Sequence, residues 1–214
     1  MIVAKRAYGQ YCGFARALEI IGERWALLIV RDLLVGPKRF SDLLRGLPGI
    51  PTNILTARLK ELEQGGLLAR RALPLPAGGV AYELTPAGAA LEESVLAIGR
   101  WGAERLGNPR RGEIVTEDSL AMALRTTFRP EAAGKTSAAY ELHLGSIVFH
   151  ALVHNAQVRV GRGPLPKPDV IIETSALREL LAHEITPEQA IKKKLARVKG
   201  DVRLLDRFVR IFRI

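Results

Sequence analysis

Proline and glycine cut the N-terminal half of the chain into short helical pieces, and this punctuation limits the fold more than any other feature. Gly36-Pro37 ends one helical stretch, and Gly46 and Pro48 end the next. The segment PTNILTARLKELEQGG then starts at Pro51 and stops at Gly65-Gly66. Proline fits a first helical position, where its missing N–H is no loss. Leu55, Leu59 and Leu62 recur at helical spacing and form an inward stripe. Thr52, Asn53, Thr56 and Lys60 lie on the other side.

The neighbouring segments fall into a definite order. GFARALEIIGERWALLIVRDLLVG carries apolar residues at Leu18, Ile21, Trp25, Leu28 and Ile29 and reads as two helices broken near Gly22. KRFSDLLRGLPG is a short helix with Ser41 as its expected N-cap. GLLARRALPLPAGGVAYELT reads as a hairpin whose tip holds Pro74, Pro76, Gly78 and Gly79. Thr85-Pro86 opens a last helix that continues through Leu91, Val95, Ile98 and Trp101. Helix, helix, short helix, longer helix, hairpin and helix make a winged helix-turn-helix, with the hairpin as the wing.

Particular residues sharpen this reading. Cys12, IGERW, GPKRFSDL, LPGI, LTARLKELEQGGL and YELTPAG together resemble the HxlR-type family of bacterial winged-helix regulators, which is MarR-like, over nearly all of residues 12–101. The resemblance implies a dimeric DNA-binding repressor or activator, joined through its N-terminal and last helices. Two features depart from the family pattern. Gly13 follows Cys12 where proline is usual, and the wing segment LPLPAGGVAY has no basic residue near its tip. Arg70 and Arg71 lie at the wing base instead, which weighs against a minor-groove contact from the tip.

The polar segment RLGNPRRGE interrupts the pattern and marks the expected boundary. The reading is residues 1–107 for DNA binding and dimerisation, 108–115 for a linker and 116–214 for a second domain. That domain opens with the helix EDSLAMALRTTF, capped by Thr116. YELHL, IVFHALV, QVRV and DVIIET have strand length and strand patterning. SALRELLA is a short helix, and TPEQAI opens another with a capping box of Thr186 and Gln189. ARVKGD and the helix VRLLDRFVRIF finish the chain. Over roughly Glu117 to Phe212 this order resembles the sterol carrier protein type of lipid-binding domain, with DVIIETSALRELLAHEITPEQAIKKKLARVKGD and the final helix as its best marks. It implies a hydrophobic cavity between sheet and helices, without naming a sterol. The fold class expected is a mainly-α winged helix-turn-helix followed by an α/β (α+β) domain with a mixed sheet.

Composition bounds the function. With 48% apolar and 25% charged residues the chain is globular, not disordered. A net charge of +10 points to a polyanionic partner, a nucleic acid or a membrane surface, and the family resemblance implies double-stranded DNA. The longest unbroken apolar run, Trp25 to Val30, is too short for a membrane span, and no signal peptide is legible near Lys5 and Arg6. A cytoplasmic protein is expected. A lone cysteine excludes an internal disulfide framework and a cysteine zinc site.

Candidate site residues follow. Thr52, Asn53, Thr56 and Lys60 are the expected base-reading face, because amide, hydroxyl and methyl groups at a helix start fit major-groove base edges. Lys38, Arg39 and Ser41 are placed for phosphate contacts. Arg58 either reaches a phosphate or packs its stem over the core. Arg70 and Arg71 alternate on a strand, so one of the two faces DNA. Cys12, near a helix start with Arg16 four residues on, is a candidate redox sensor. His143, His150 and His154 have no carboxylate partners at ligand spacing, so no metal is expected. AAGKT lacks the first glycine of a phosphate loop, since Arg129 stands there. No nucleophile set or dinucleotide fingerprint appears, so neither an enzyme nor a cofactor is expected. The reading is a dimeric regulator on an inverted repeat, modulated by a hydrophobic small molecule. The alternatives are a hydrophobic-ligand or lipid carrier whose helical domain dimerises, and a thiol-switched regulator.

Overall fold

A computed structural model describes residues 7–74, 76, 78–107 and 109–214. Leu75 and Ala77 of the expected wing tip, Lys5 and Arg6, and Asn108 at the start of the expected linker lie outside the described residues. Internal contacts divide the chain into two compact units, Met1–Val95 and Leu96–Ile214. Among the described residues, no helix is long and apolar enough to cross a membrane.

The N-terminal unit follows the punctuation. Helices α1 (Gly13–Ile21) and α2 (Ala26–Leu34) are separated at Gly22. Trp25 caps α2 with φ at 80°, a left-handed conformation that is a genuine outlier for a bulky residue. Helix α3 (Phe40–Gly46) and helix α4 (Thr52–Gln64) form the helix-turn-helix. The LPGI motif explains their joint. Leu47 and Ile50 are buried, while Gly49 takes a φ of 81° between them. Leu55, Leu59 and Leu62 are buried against Ile29, Val30, Leu33 and Leu43.

Two boundaries differ from the sequence reading. Pro51 is the N-cap of α4, and Thr52 is its first helical residue. Arg39, not Ser41, caps α3, because the Asp42 carboxylate accepts from the Arg39 backbone N–H at 3.0 Å. This acid supplies from inside the helix the capping bond that Ser41 was expected to make.

The wing is an antiparallel pair, β1 (Leu68–Ala72) and β2 (Val80–Leu84). Lys38 adds a third arm, giving and taking backbone hydrogen bonds with Tyr82 at 2.9 and 2.7 Å. The expected last helix is two, α5 (Pro86–Ala89) and α6 (Glu92–Ala103). Gly88 shows what holds α5. A Cβ there would stand 2.0 Å from the Leu67 carbonyl oxygen. Thr85 clamps the same spot: its hydroxyl donates to the Gly66 carbonyl at 2.6 Å and accepts from the Gly88 N–H at 3.2 Å. The final glycine of YELTPAG is thus a packing requirement.

The C-terminal unit begins with the end of α6, followed by α7 (Glu117–Thr127) and α8 (Pro130–Ala133). Thr116 caps α7 as expected, in a box with Ser119. Its first-turn acids, Glu117 and Asp118, hold Arg162. Strands β3 (Ser137–Leu144), β4 (Ile147–His154), β5 (Gln157–Arg162), β6 (Val170–Thr174) and β7 (Ala196–Gly200) form one sheet in the order β5-β4-β3-β6-β7. Only the β3–β6 pair is parallel, so the sheet is mixed. Helices α9 (Leu177–Leu181) and α10 (Pro187–Lys192) connect β6 to β7, and α11 (Arg203–Ile211) closes the chain. The box of Thr186 and Gln189 caps α10.

One sheet face carries the core: Ala138, Tyr140 and Leu142 with Phe149, Ala151 and Val153, then Val170 and Ile172. Leu205, Phe208, Val209 and Phe212 pack against it. Tyr140, Phe208 and Phe212 form an aromatic cluster with centroids 4.6–6.4 Å apart. These side chains fill the space where a hydrophobic cavity was expected. The Tyr140 hydroxyl is buried with no hydrogen-bond partner among the described residues, and burial pushes its pKa up to about 12.

Candidate nucleic-acid interface

Helix α4 presents the face that matters. At 100° per residue, Thr52, Asn53, Thr56 and Lys60 span an arc of about 100°. All four are exposed, and the leucine stripe lies on the adjoining arc, centred about 110° away. Thr52, Asn53 and Lys60 make no side-chain hydrogen bond or ion pair among the described residues. Thr56 differs, since its hydroxyl donates to the Thr52 carbonyl at 2.8 Å. That internal bond occupies the donor and leaves the oxygen lone pairs and the methyl group to a partner.

The basic residues expected at phosphates are mostly engaged. Lys38 is only 5% exposed, because its backbone is a strand arm of the wing, so it is not the surface cation that the sequence suggested. Arg58 lies between two acids, 2.5 Å from Glu61 and 3.5 Å from Glu23, with its side chain mostly covered. Glu61 lies three residues on in the same helix, a local signal, whereas Glu23 is distant in sequence and is brought there only by the fold. Arg39 reaches the wing and donates to the Gly78 carbonyl at 2.8 Å. Arg70 pairs with Glu63 at 3.2 Å and lies over the Tyr82 ring; Arg71 pairs with Glu83 at 3.3 Å. Both are exposed, and such surface pairs are weak enough to exchange for phosphate. Ser41 is exposed at the second position of α3.

Cys12 stands apart from this face, exposed at the N-cap of α1. Its thiol pKa is drawn below the ordinary value by the backbone N–H of Ala15 and then by that of Phe14. Arg16, expected to assist, instead pairs with Glu19 at 2.7 Å. The helix start rather than the arginine favours the thiolate.

One histidine differs from expectation. His143 has a carboxylate partner, since its Nε2 lies 2.7 Å from the Glu141 side chain. The two residues are separated by one position and share a sheet face, a spacing that strand geometry makes close. His150 bonds the Gly163 carbonyl through Nδ1 at 2.9 Å.

An exposed, uncommitted helix N-terminus behind a tight turn, flanked by a two-stranded wing, defines a winged helix-turn-helix DNA-binding module. Residues 20–109 match the HxlR-like helix-turn-helix family. The relative YvaP of Bacillus subtilis, named as an uncharacterized HTH-type transcriptional regulator, is 38% identical over 42% of this chain and 84% of its own length. YodB of the same organism, an HTH-type transcriptional regulator, is 37% identical over 48% of this chain and 88% of its own length. The solved reduced form of YodB matches 47% of this chain and 99% of that chain, at 35% identity and a TM-score of 0.40. The chain belongs to the HxlR-like helix-turn-helix family. The family segment ends at residue 109 and leaves the mixed sheet outside it.

Proposed function

We propose that this protein is a cytoplasmic, dimeric transcriptional regulator that binds an inverted-repeat operator, with α4 in the major groove. The domain division behind this reading is residues 1–107 for DNA binding and dimerisation, 108–115 for a linker and 116–214 for the effector-responsive part. The observation that carries it is the face of Thr52, Asn53 and Lys60, exposed and uncommitted. Side chains without internal partners break no bond when they meet a base edge. Thr56 adds a methyl group suited to thymine, and Ser41, Arg39, Arg70 and Arg71 position the module on phosphates. Lys38 and Arg58 act mainly on the protein side, holding the wing and α4 in place.

The test is binding to a fragment of the protein's own promoter, measured against salt. A specific site with a steep salt slope is expected. Asn53→Ala, Thr56→Ala and Lys60→Ala combined should remove specificity and leave weak, sequence-blind binding. Specific binding that survives the triple variant would end the assignment of α4 as reader.

Effector control by a hydrophobic small molecule completes the proposal. Such a ligand must bind the DNA-competent and incompetent states unequally. Room for it between the sheet and the helices of the C-terminal unit requires Tyr140, Phe208 or Phe212 to move, because they fill that interior. A second reading, thiol switching, is favoured by the exposed Cys12 at its helix start. Cys12→Ser separates the two: an oxidant response that persists in this variant eliminates the thiol.

A further inference from the structure

The sheet of the C-terminal unit has a crevice that the operator reading does not use. After β3 the chain turns to β4 on one side, and after β6 it leaves through α9 and α10 to β7 on the other. The two connections therefore diverge at the carboxyl ends of the parallel pair. Open sheets with parallel strands bind ligands at such divergence points, because the departing loops leave a cleft over the strand ends. Here that position holds an open pocket of about 330 Å³, lined by His143 and Gly145, by Glu173, Thr174 and Ser175, and by Lys194 to Arg197. This is the size of a small-molecule site.

Its polar groups are organised. Glu141 is buried, and its carboxylate accepts from the Leu165 N–H at 2.7 Å and contacts His143 Nε2 at 2.7 Å. Burial alone raises the Glu141 pKa, but the bonds from His143 and Leu165 outweigh it and hold the group below its ordinary range. An ionised carboxylate only accepts, so His143 Nε2 carries the proton and Nδ1 is the nitrogen left for the pocket. Glu173 also lines the pocket; Lys199 pairs with it at 2.7 Å, and its cross-strand neighbours Arg197 and His143 lie within its field. Lys194 and Arg197 make no ion pair among the described residues, and the Ser175 hydroxyl makes no hydrogen bond there. Thr174 fixes the back wall, donating to the Leu195 carbonyl and accepting from the Ala176 N–H, each at 3.0 Å. Lys194 itself sits at φ 58°, a conformation that glycine adopts without strain and lysine does not. That conformation closes the C-terminus of α10, where the Lys194 N–H donates to the Ile191 carbonyl at 3.0 Å and the Leu195 N–H to the Ala190 carbonyl at 2.8 Å, and it leaves Lys194 in the pocket lining.

We propose that this crevice binds a small molecule through a compact oxyanion, a carboxylate or a phosphate, held by Lys194 and Arg197 with the Ser175 hydroxyl completing the contact. This site stands independently of operator binding, and its failure would leave the α4 reading untouched. The experiment is calorimetric titration of the full chain with inorganic phosphate and, separately, with succinate. Saturable binding of at least one probe is expected, and which one binds distinguishes a phosphate ester from a carboxylate ligand. Lys194→Gly should weaken binding at least tenfold without lowering the melting temperature, since glycine suits that backbone. Arg197→Gln should weaken it similarly, and Arg197→Lys should retain most of it. The proposal is overturned if neither probe saturates, or if Lys194→Gly and Arg197→Gln bind like the parent chain.

Discussion

The two units handle polar chemistry in opposite ways. In the N-terminal unit the polar face of α4 lies outside, and the side chains of Thr52, Asn53 and Lys60 bond to nothing among the described residues. Nearly all the arginines around it are tied to acids or to the wing. In the C-terminal unit a buried carboxylate, two threonine bonds and an ion pair first build a crevice wall, and only a few groups remain to face outward. The cores differ as well. Leucine and isoleucine fill the first, while an aromatic cluster fills the second. A surface that must fit into a DNA groove gains from side chains with no competing bonds. A pocket for a small molecule gains from groups locked in place, because locking removes the entropy lost on binding.

The largest test of this contrast is Phe208→Ala. Removing a fully buried ring from the aromatic cluster should destabilise the C-terminal unit by about 3–5 kcal/mol, read from urea unfolding. An unchanged midpoint would show that the cluster does not close that interior. Gly88→Ala tests the other core. A methyl group pressed on the Leu67 carbonyl should cost about 1–3 kcal/mol and displace α5, visible as a lower melting temperature. Asn53→Ala should cost about 1–3 kcal/mol of operator discrimination at one base position, with stability unchanged. Loss of stability instead would mean that the α4 face is structural.

Smaller effects refine the second unit. The folded pKa of Glu141 is depressed, so its contribution is present above the ordinary carboxylate pKa and fades as pH falls through the lower folded value. Glu141→Gln should flatten that part of the acid unfolding curve, measured as urea midpoint against pH. Tyr140→Phe removes a buried hydroxyl that has no hydrogen-bond partner among the described residues. It should be neutral or stabilise by about 1 kcal/mol, a change that differential scanning calorimetry resolves. A clear destabilisation would show that the hydroxyl has a partner in solution.

Local order was legible in the sequence because its causes are local. Proline and glycine punctuation set the helix breaks, Thr116 and Thr186 marked caps, and alternation marked strands. Leu55, Leu59 and Leu62 identified the buried stripe of α4, and with it the outer face. Each signal acts within a turn or two of the chain, where backbone sterics and hydrogen bonding decide the outcome. What the residues do to distant neighbours required the tertiary structure. Lys38 became a buried strand arm through Tyr82, and Arg58 was taken up by Glu23. One expected helix became α5 and α6, and Gly88 met the Leu67 carbonyl. The parallel pairing of β3 with β6 brought His143, Ser175, Lys194 and Arg197 to one crevice from segments far apart in the chain. Periodicity tells which face of an element is buried; only the packing of elements decides which groups meet there.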